Sequence, residues 1–161
     1  MMHKQTSKIA LGGMLLLAVA ALSYTAGAKG KSMEAVIWPA ADIKFVPLAP
    51  GAPLQMGTLW GNRDKGEYAM LLKLPPGFEA GMHSHTADYH AVLIQGTWVH
   101  TVEGDTNPPK DLAPGSYVFQ PGKQNHNDVC KSKVECIIMV HQHAKGDFIP
   151  AKVPGKAPEK K

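Results

Sequence analysis

Two stretches of the chain decide its fold. Residues 77–96 read Gly-Phe-Glu-Ala-Gly-Met-His-Ser-His-Thr-Ala-Asp-Tyr-His-Ala-Val-Leu-Ile-Gln-Gly, and residues 115–126 read Gly-Ser-Tyr-Val-Phe-Gln-Pro-Gly-Lys-Gln-Asn-His. His83 and His85 are two positions apart, so both imidazoles point to the same face of a β-strand. His126, arriving from elsewhere in the chain, can complete a set of three. Because neutral imidazole binds zinc, copper, iron and nickel, these residues predict a metal site formed by His83, His85 and His126.

Short apolar runs separated by glycine and proline surround the two stretches. The candidate strands cover residues 35–38, 43–48, 56–60, 68–74, 81–85, 89–94, 97–102, 116–120 and 136–141. No long stretch after residue 28 shows the 3.6-residue period of an amphipathic helix. Many short strands with turn residues between them predict an all-β sandwich or barrel. Small barrels hold ligands in their mouth or interior, which is where converging histidines would lie.

The two stretches resemble the paired motifs of the cupin superfamily. The first cupin motif has the form G-x5-H-x-H-x(3,4)-E-x6-G, and here Gly77, His83, His85 and Gly96 occupy its positions. The second has the form G-x5-P-x-G-x2-H-x3-N, and here Gly115, Pro121 and His126 do so. The resemblance implies a single-domain, jelly-roll barrel of the cupin type, a double-stranded β-helix. The phrase His-Ser-His-Thr-Ala-Asp-Tyr-His is similar to that of small, often exported cupins, and implies a metal site but no substrate.

The chain departs from the cupin pattern at three positions. Tyr89 stands where the glutamate ligand is usual, the glycine of the second motif is shifted to Gly122, and Cys130 replaces the asparagine. The resemblance therefore implies three imidazole ligands, with Tyr89, His90 or water as the fourth. Tyr89 can hydrogen-bond a metal-bound molecule or ligate as phenolate, whereas His90 takes the glutamate's place if the turn after His85 is one residue longer. Tyr89 and His90 are also the candidate catalytic residues.

Both ends of the chain differ in composition from its middle. Residues 1–28 have a basic start, an apolar run and Ala-Gly-Ala at the end, and so predict an export signal; an uncleaved anchor is the alternative. Residues 29–150 form the predicted barrel domain. Residues 151–161 are rich in lysine and proline and predict a disordered tail. The expected location is the periplasm or the exterior, with no membrane contact after signal cleavage.

The charge balance argues against nucleic acid as a partner. The whole chain carries 17 basic against 13 acidic residues, but the excess lies at the ends, and residues 29–150 carry 11 and 12. No clustered basic face of the kind that nucleic acid requires is evident. The expected partners are a small-molecule ligand or substrate and a second copy of the chain, since many cupins dimerise through sheet packing.

The chain has two cysteines, Cys130 and Cys136. Export to an oxidising compartment favours a disulfide between them, and strands joined by a short turn can bring their Cα atoms close enough. Free thiols and soft metal ligands are the alternatives, although a five-residue spacer is not typical of zinc sites.

Three protein ligands leave coordination positions open for water, oxygen or substrate, which is typical of a catalytic metal site. The expected cofactor is one divalent transition metal ion, with iron, copper, manganese, zinc and nickel all compatible with the ligands. Iron or copper would indicate a dioxygenase acting on a small organic substrate, and zinc or manganese would indicate hydrolysis or isomerisation. The alternative is a non-catalytic module that binds a metal or a small ligand.

Overall fold

Antiparallel β-strands supply almost all the regular structure in residues 34–152, the part of the chain that the computed structural model describes. The ten strands are β1 (Val46–Pro47), β2 (Gln55–Gly61), β3 (Tyr68–Leu74), β4 (His83–Ser84), β5 (Tyr89–Gln95), β6 (Trp98–Val102), β7 (Tyr117–Gln120), β8 (His126–Cys130), β9 (Cys136–Gln142) and β10 (Ile149–Pro150). A 3-10 turn at Ala40–Asp42 precedes them. Among the residues described, no helix combines the length and apolar character that crossing a bilayer takes.

The strands form two sheets. The larger has six strands in the order β1-β2-β3-β9-β5-β7, and the smaller has four in the order β10-β4-β8-β6. From β3 to β10, consecutive strands alternate between the two sheets. Both sheets therefore contribute to one core, as in a jelly roll. This confirms the predicted all-β cupin fold.

The core lies between the sheets because the strands bury alternate side chains. In β9 the inward positions Cys136, Ile138, Val140 and Gln142 are buried, and the residues between them are partly exposed. The buried cluster draws Leu74 and Leu93 from the larger sheet and Trp98 from the smaller one. A side-chain period of two therefore fixes which residues face the interior.

The structure corrects two strand predictions and adds two strands. The apolar run at residues 35–38 forms no strand, and the run at 43–48 contributes only β1. Strands β8 and β10 were not predicted, since neither His-Asn-Asp-Val-Cys nor Ile-Pro has the alternating apolar pattern of a half-buried strand. The predicted signal at residues 1–28 lies outside the described residues, as does most of the predicted tail.

Candidate metal centre

The smaller sheet brings the three predicted histidines together. His83 in β4 pairs directly with His126, the first residue of β8, and His85 follows one residue after β4. Ring centroids lie 4.3 Å apart for His83 and His126, and 5.2 Å apart for His85 and His126. One nitrogen from each ring lies within 4.8 Å of the others. This spacing allows all three imidazoles to reach a single ion.

Backbone carbonyls hold the three rings in one tautomer. The Nδ1 atoms of His83, His85 and His126 lie 2.8, 2.5 and 3.1 Å from the carbonyl oxygens of Gly81, Asp147 and Gln124. A carbonyl can only accept, so each Nδ1–H donates and each Nε2 is left unprotonated, with a lone pair that can bind a metal ion. These carbonyls therefore orient the three imidazoles.

Burial keeps two of these rings neutral in the absence of metal. It lowers the pKa of His126 to about 4, and it also lowers the pKa of His85. Metal binding needs the deprotonated ring, so a low pKa removes competition from protons. The donor set and its protonation fit a divalent transition metal ion.

The loop before His126 is tied to the segment after His85. The amide of Lys123 donates to the carbonyl of His85 across 2.7 Å, and Lys123 has a positive φ of 64°. Position 123 is where the cupin motif places its glycine, so lysine adopts here a backbone conformation that favours glycine. The shifted Gly122 has a separate role: a Cβ there would lie 2.6 Å from the carbonyl oxygen of Thr86. The close approach brings the histidine-bearing loops together.

Asp128 is a residue of the centre that the sequence analysis missed. Its Oδ2 atom lies 3.8 Å from Nε2 of His83 and 3.7 Å from Nε2 of His126. Its Oδ1 atom accepts hydrogen bonds from Trp98 Nε1 at 2.9 Å and from His100 Nδ1 at 2.8 Å. Asp128 and His126 are two positions apart and share a face of β8, so the signal appears only once residues 126–130 are recognised as a strand.

Asp128 is charged despite its burial. Burial alone raises the pKa of the carboxyl, but the hydrogen bond from His100 and the neighbouring imidazoles outweigh it and lower the pKa. His100, the partner of Asp128, has a raised pKa. Burial alone would lower that pKa, but the hydrogen bonds of His100 to Asp128 and Gln120 and the charge of Asp128 outweigh burial. The centre therefore has a negative charge beside the imidazoles, although the usual glutamate position is occupied by Tyr89.

Tyr89 borders the centre and His90 does not. The Tyr89 hydroxyl lies 3.3 Å from His126 Nε2, and it donates because that nitrogen carries no proton. Burial and the charge of Asp128 raise the Tyr89 pKa well above its usual value, so it is a neutral phenol in the metal-free protein. His90 points to the opposite face of β5, where its Nδ1 lies 2.7 Å from the Tyr117 hydroxyl. The geometry therefore excludes His90 as the fourth ligand in this arrangement.

An apolar cavity of about 430 Å³ opens beside the centre. His83, His85, Tyr89 and Asp128 line one part of it. The larger apolar side chains of its wall are Leu48, Leu54, Met70, Leu72, Leu74, Phe78, Trp98, Ile138, Val140 and Phe148. Its other polar residues are Arg63, Tyr68, Gln142 and Asp147. The cavity is large enough for a small organic molecule.

Cys130 and Cys136 form a disulfide in the structure, with their Cα atoms 5.7 Å apart. Cys130 ends β8 and Cys136 begins β9, so the bond joins the smaller sheet to the larger one. Both residues are fully buried. Neither sulfur is available as a metal ligand in this state.

Comparison with known families identifies the fold family. The sequence pattern of a family described as the ChrR Cupin-like domain matches residues 33–145. The chain belongs to this cupin family. No curated protein sequence matches the chain significantly.

Several solved cupins share the fold. The chain is similar to the polyketide cyclase RemF from Streptomyces resistomycificus, with TM-score 0.60, 14% identity, and 76% of this chain and 89% of that chain covered. It is similar to the DMSP lyase DddQ from Ruegeria pomeroyi, with TM-score 0.56 and 18% identity; the match covers 72% of this chain and 64% of that chain. It is also similar to an RmlC-like cupin from Shewanella frigidimarina, with TM-score 0.54 and 20% identity; the match covers 69% of this chain and 93% of that chain. At these identities the similarity shows the fold alone, in a group that includes enzymes.

Proposed function

We propose that this cupin is an exported, metal-dependent dioxygenase that acts on a small, largely apolar organic substrate. The observation that carries the proposal is the set of three Nε2 donors, which are oriented by carbonyl hydrogen bonds; two of the three rings, His83 and His85, line an apolar cavity. His83, His85 and His126 would hold the ion. An iron or copper ion bound there would supply the redox chemistry that joins molecular oxygen to an organic substrate.

The residues around the histidines would position the substrate and exclude water. Phe148 stacks on the His83 ring with centroids 4.4 Å apart, and Phe78 and Trp98 line the cavity wall. Apolar walls favour an apolar substrate by removing its surface from water. They also keep water from competing for the polar groups of the centre.

The environment of Arg63 supports a substrate that carries an oxygen acceptor. Its side chain lines the cavity, and its Nε atom is buried without a hydrogen-bond partner among the described residues. A buried donor that lacks a partner is costly, so a carbonyl or carboxylate oxygen at this position would bind favourably. The proposed substrate class is therefore a small aromatic or aliphatic compound that carries a ketone or an acid group.

A second reaction class has specific support. The neutral Tyr89 phenol and the charged Asp128 carboxylate flank the histidines, and together they form a proton donor and a proton acceptor. General acid and base groups on two sides of one centre suit elimination, isomerisation or cyclisation, which need no oxygen. Non-redox chemistry with zinc, nickel or manganese is thus the alternative for the same site.

Export is supported by two independent features. The basic start, apolar run and small-residue end of residues 1–28 are typical of a secretory signal. The disulfide of Cys130 and Cys136 suits an oxidising compartment, since such bonds rarely persist in the cytosol.

Oxygen uptake distinguishes the proposals. The protein is loaded with Fe²⁺, Cu²⁺, Mn²⁺, Zn²⁺ or Ni²⁺ in turn and mixed with small aromatic ketones, aromatic acids and diketones, with and without oxygen. A dioxygenase consumes one oxygen molecule per substrate consumed, only with a redox-active ion and only in air. Substrate loss without oxygen supports the proton-transfer alternative. Tight metal binding with no turnover of any probe would refute the dioxygenase proposal for these classes and favour a binding module.

A further inference from the structure

A second cluster of metal-binding side chains lies on the outer face of the larger sheet. Nε2 of His141 and Nδ1 of His143 each lie 3.0 Å from the same carboxylate oxygen, Oε1 of Glu67. The side chains of His141, His143 and Glu67 are 26%, 59% and 48% exposed, so solvent reaches the cluster. The three donor atoms all lie within 4.8 Å of one another.

The strand pairing explains why these residues meet. His141 is an outward residue near the end of β9, and His143 follows two positions later, while Gln142 between them is buried. Gln142 pairs with Tyr68, the first residue of β3, and Glu67 immediately precedes it. Outward residues at neighbouring strand ends therefore converge. The inward Gln142 and Tyr68 line the cavity, so the cluster and the His83 centre lie on opposite faces of the larger sheet.

We propose that Glu67, His141 and His143 form a second site, which binds a divalent transition metal ion from solution. Metal bonds of about 2.0–2.2 Å put neighbouring ligand atoms about 2.8–3.6 Å apart at bond angles of about 90–110°, and the two 3.0 Å separations fall in that range. Two imidazoles and one carboxylate suit zinc, nickel and copper, with copper binding most tightly. Because the ligands are exposed, the ion would remain open to solvent and exchange readily.

The competing explanation is an ion pair between Glu67 and protonated histidines. Such a pair needs no metal and is worth little on a surface. Protons and metal ions compete for the same imidazole nitrogens, so mildly alkaline conditions favour metal binding over the ion pair. Metal binding is therefore measured at pH 7.5.

The test is the number of metal ions bound per chain. The protein expressed from the full chain is stripped with a chelator and titrated with Zn²⁺ and Cu²⁺, using calorimetry and elemental analysis after gel filtration. We expect two equivalents for the wild type and one for His141→Gln/His143→Gln. His90→Gln is the matched control, because the His90 ring lies beside those of His141 and His143 on this outer face while its hydrogen bond goes to Tyr117; it should retain two equivalents. The His83→Gln/His85→Gln variant should lose only the other equivalent, which separates this proposal from the proposed function.

Trp60 gives a local readout of the same site. Its ring centroid lies 5.2 Å from that of His141, so Cu²⁺ bound there should quench its fluorescence. We expect one quenching phase to disappear in both Trp60→Phe and His141→Gln/His143→Gln, while circular dichroism shows each variant to be folded. The proposal is overturned if the His141→Gln/His143→Gln variant binds as many ions as the wild type, or if the wild type binds only one ion and loses it in His83→Gln/His85→Gln.

Discussion

Replacement of Asp128 by asparagine tests the carboxylate that the sequence analysis missed. The substitution keeps the shape of the side chain and removes its charge. An asparagine carbonyl oxygen can still accept from Trp98 and His100, as Asp128 Oδ1 does at 2.9 and 2.8 Å. The amide nitrogen then replaces Oδ2, which lies 3.7–3.8 Å from Nε2 of His83 and His126. The fold should be retained while the negative charge beside the imidazoles is lost.

The expected loss of metal affinity follows from that position. Unit charges 4 Å apart interact by about 4 kcal/mol at an effective dielectric of 20, which sets an upper scale. Replacing carboxylates that support metal ligands costs about 10–100-fold in affinity, or roughly 1.4–2.7 kcal/mol. We expect Asp128→Asn to weaken Zn²⁺ binding at the His83 centre by at least tenfold.

A chelator competition assay at pH 7.5 measures this loss. The His141→Gln/His143→Gln background removes the second proposed site, so the titration reports the His83 centre alone. Asp111→Asn is the control, since Asp111 forms an exposed ion pair with Lys131 and should leave the affinity within about twofold. An Asp128→Asn affinity within threefold of the background would refute the role assigned to Asp128.

Four further predictions concern the phenol, the cavity, the disulfide and pH. Tyr89→Phe should leave Zn²⁺ affinity within about threefold while turnover falls at least about 100-fold; a tenfold affinity loss by competition titration would instead make Tyr89 a ligand. Arg63→Met should raise KM about tenfold or more in steady-state assays of an acid or ketone substrate with kcat little changed, and an unchanged KM would contradict that contact. Cys130→Ala/Cys136→Ala should lower the free energy of unfolding in urea by about 2–3 kcal/mol, from the loop-closure entropy of a short ring; a loss below about 1 kcal/mol would argue against the bond. In metal-free protein, the His126 pKa of about 4 lies below its unfolded value, so its stabilisation is present above about pH 6.5 and is lost as pH falls toward 4. Between pH 7.5 and pH 5.0, the free energy of unfolding in urea should therefore fall by about 2 kcal/mol more in the wild type than in His126→Gln. Equal falls in the two proteins would contradict this pH dependence.

The fold could be predicted because two independent signals agree. The run at 68–74 has the composition of a strand, and β3 occupies the same residues. The histidine and proline offsets of the cupin motifs also match, as do those of Gly77, Gly96 and Gly115. The short strands β8 and β10 escaped prediction because tertiary pairing, rather than apolar alternation, makes them strands. His126 pairs with His83, and Ile149 pairs with Ser84, in contacts that no local pattern contains.

The candidate centre could be predicted in part, because the motif spacings identify its three histidines. The His83 and His85 spacing determines a shared face, and the second motif adds His126. Asp128 could not be found without β8, because only a strand places it on the face of His126. The choice between Tyr89 and His90 likewise depends on which residue of β5 faces inward, which pairing with β7 and β9 determines.

The outer cluster illustrates a further limit of sequence reasoning. His141 lies near the end of β9, and His143 follows it two positions later. Their partner Glu67 is 74 positions away from His141 in the chain. Only the pairing of β3 with β9 shows that the three residues converge.

The most direct test of the central claim is the metal content of the protein, measured in the His141→Gln/His143→Gln background with and without His83→Ala/His85→Ala. The protein is purified without added chelator, and metal per chain is determined by elemental analysis. We predict about one equivalent of a divalent transition metal in the background, and less than a tenth of that when both histidines are replaced in a folded barrel. Retention of a full equivalent after replacement, or no metal in either protein after incubation with excess ion, would contradict a metal centre at His83, His85 and His126.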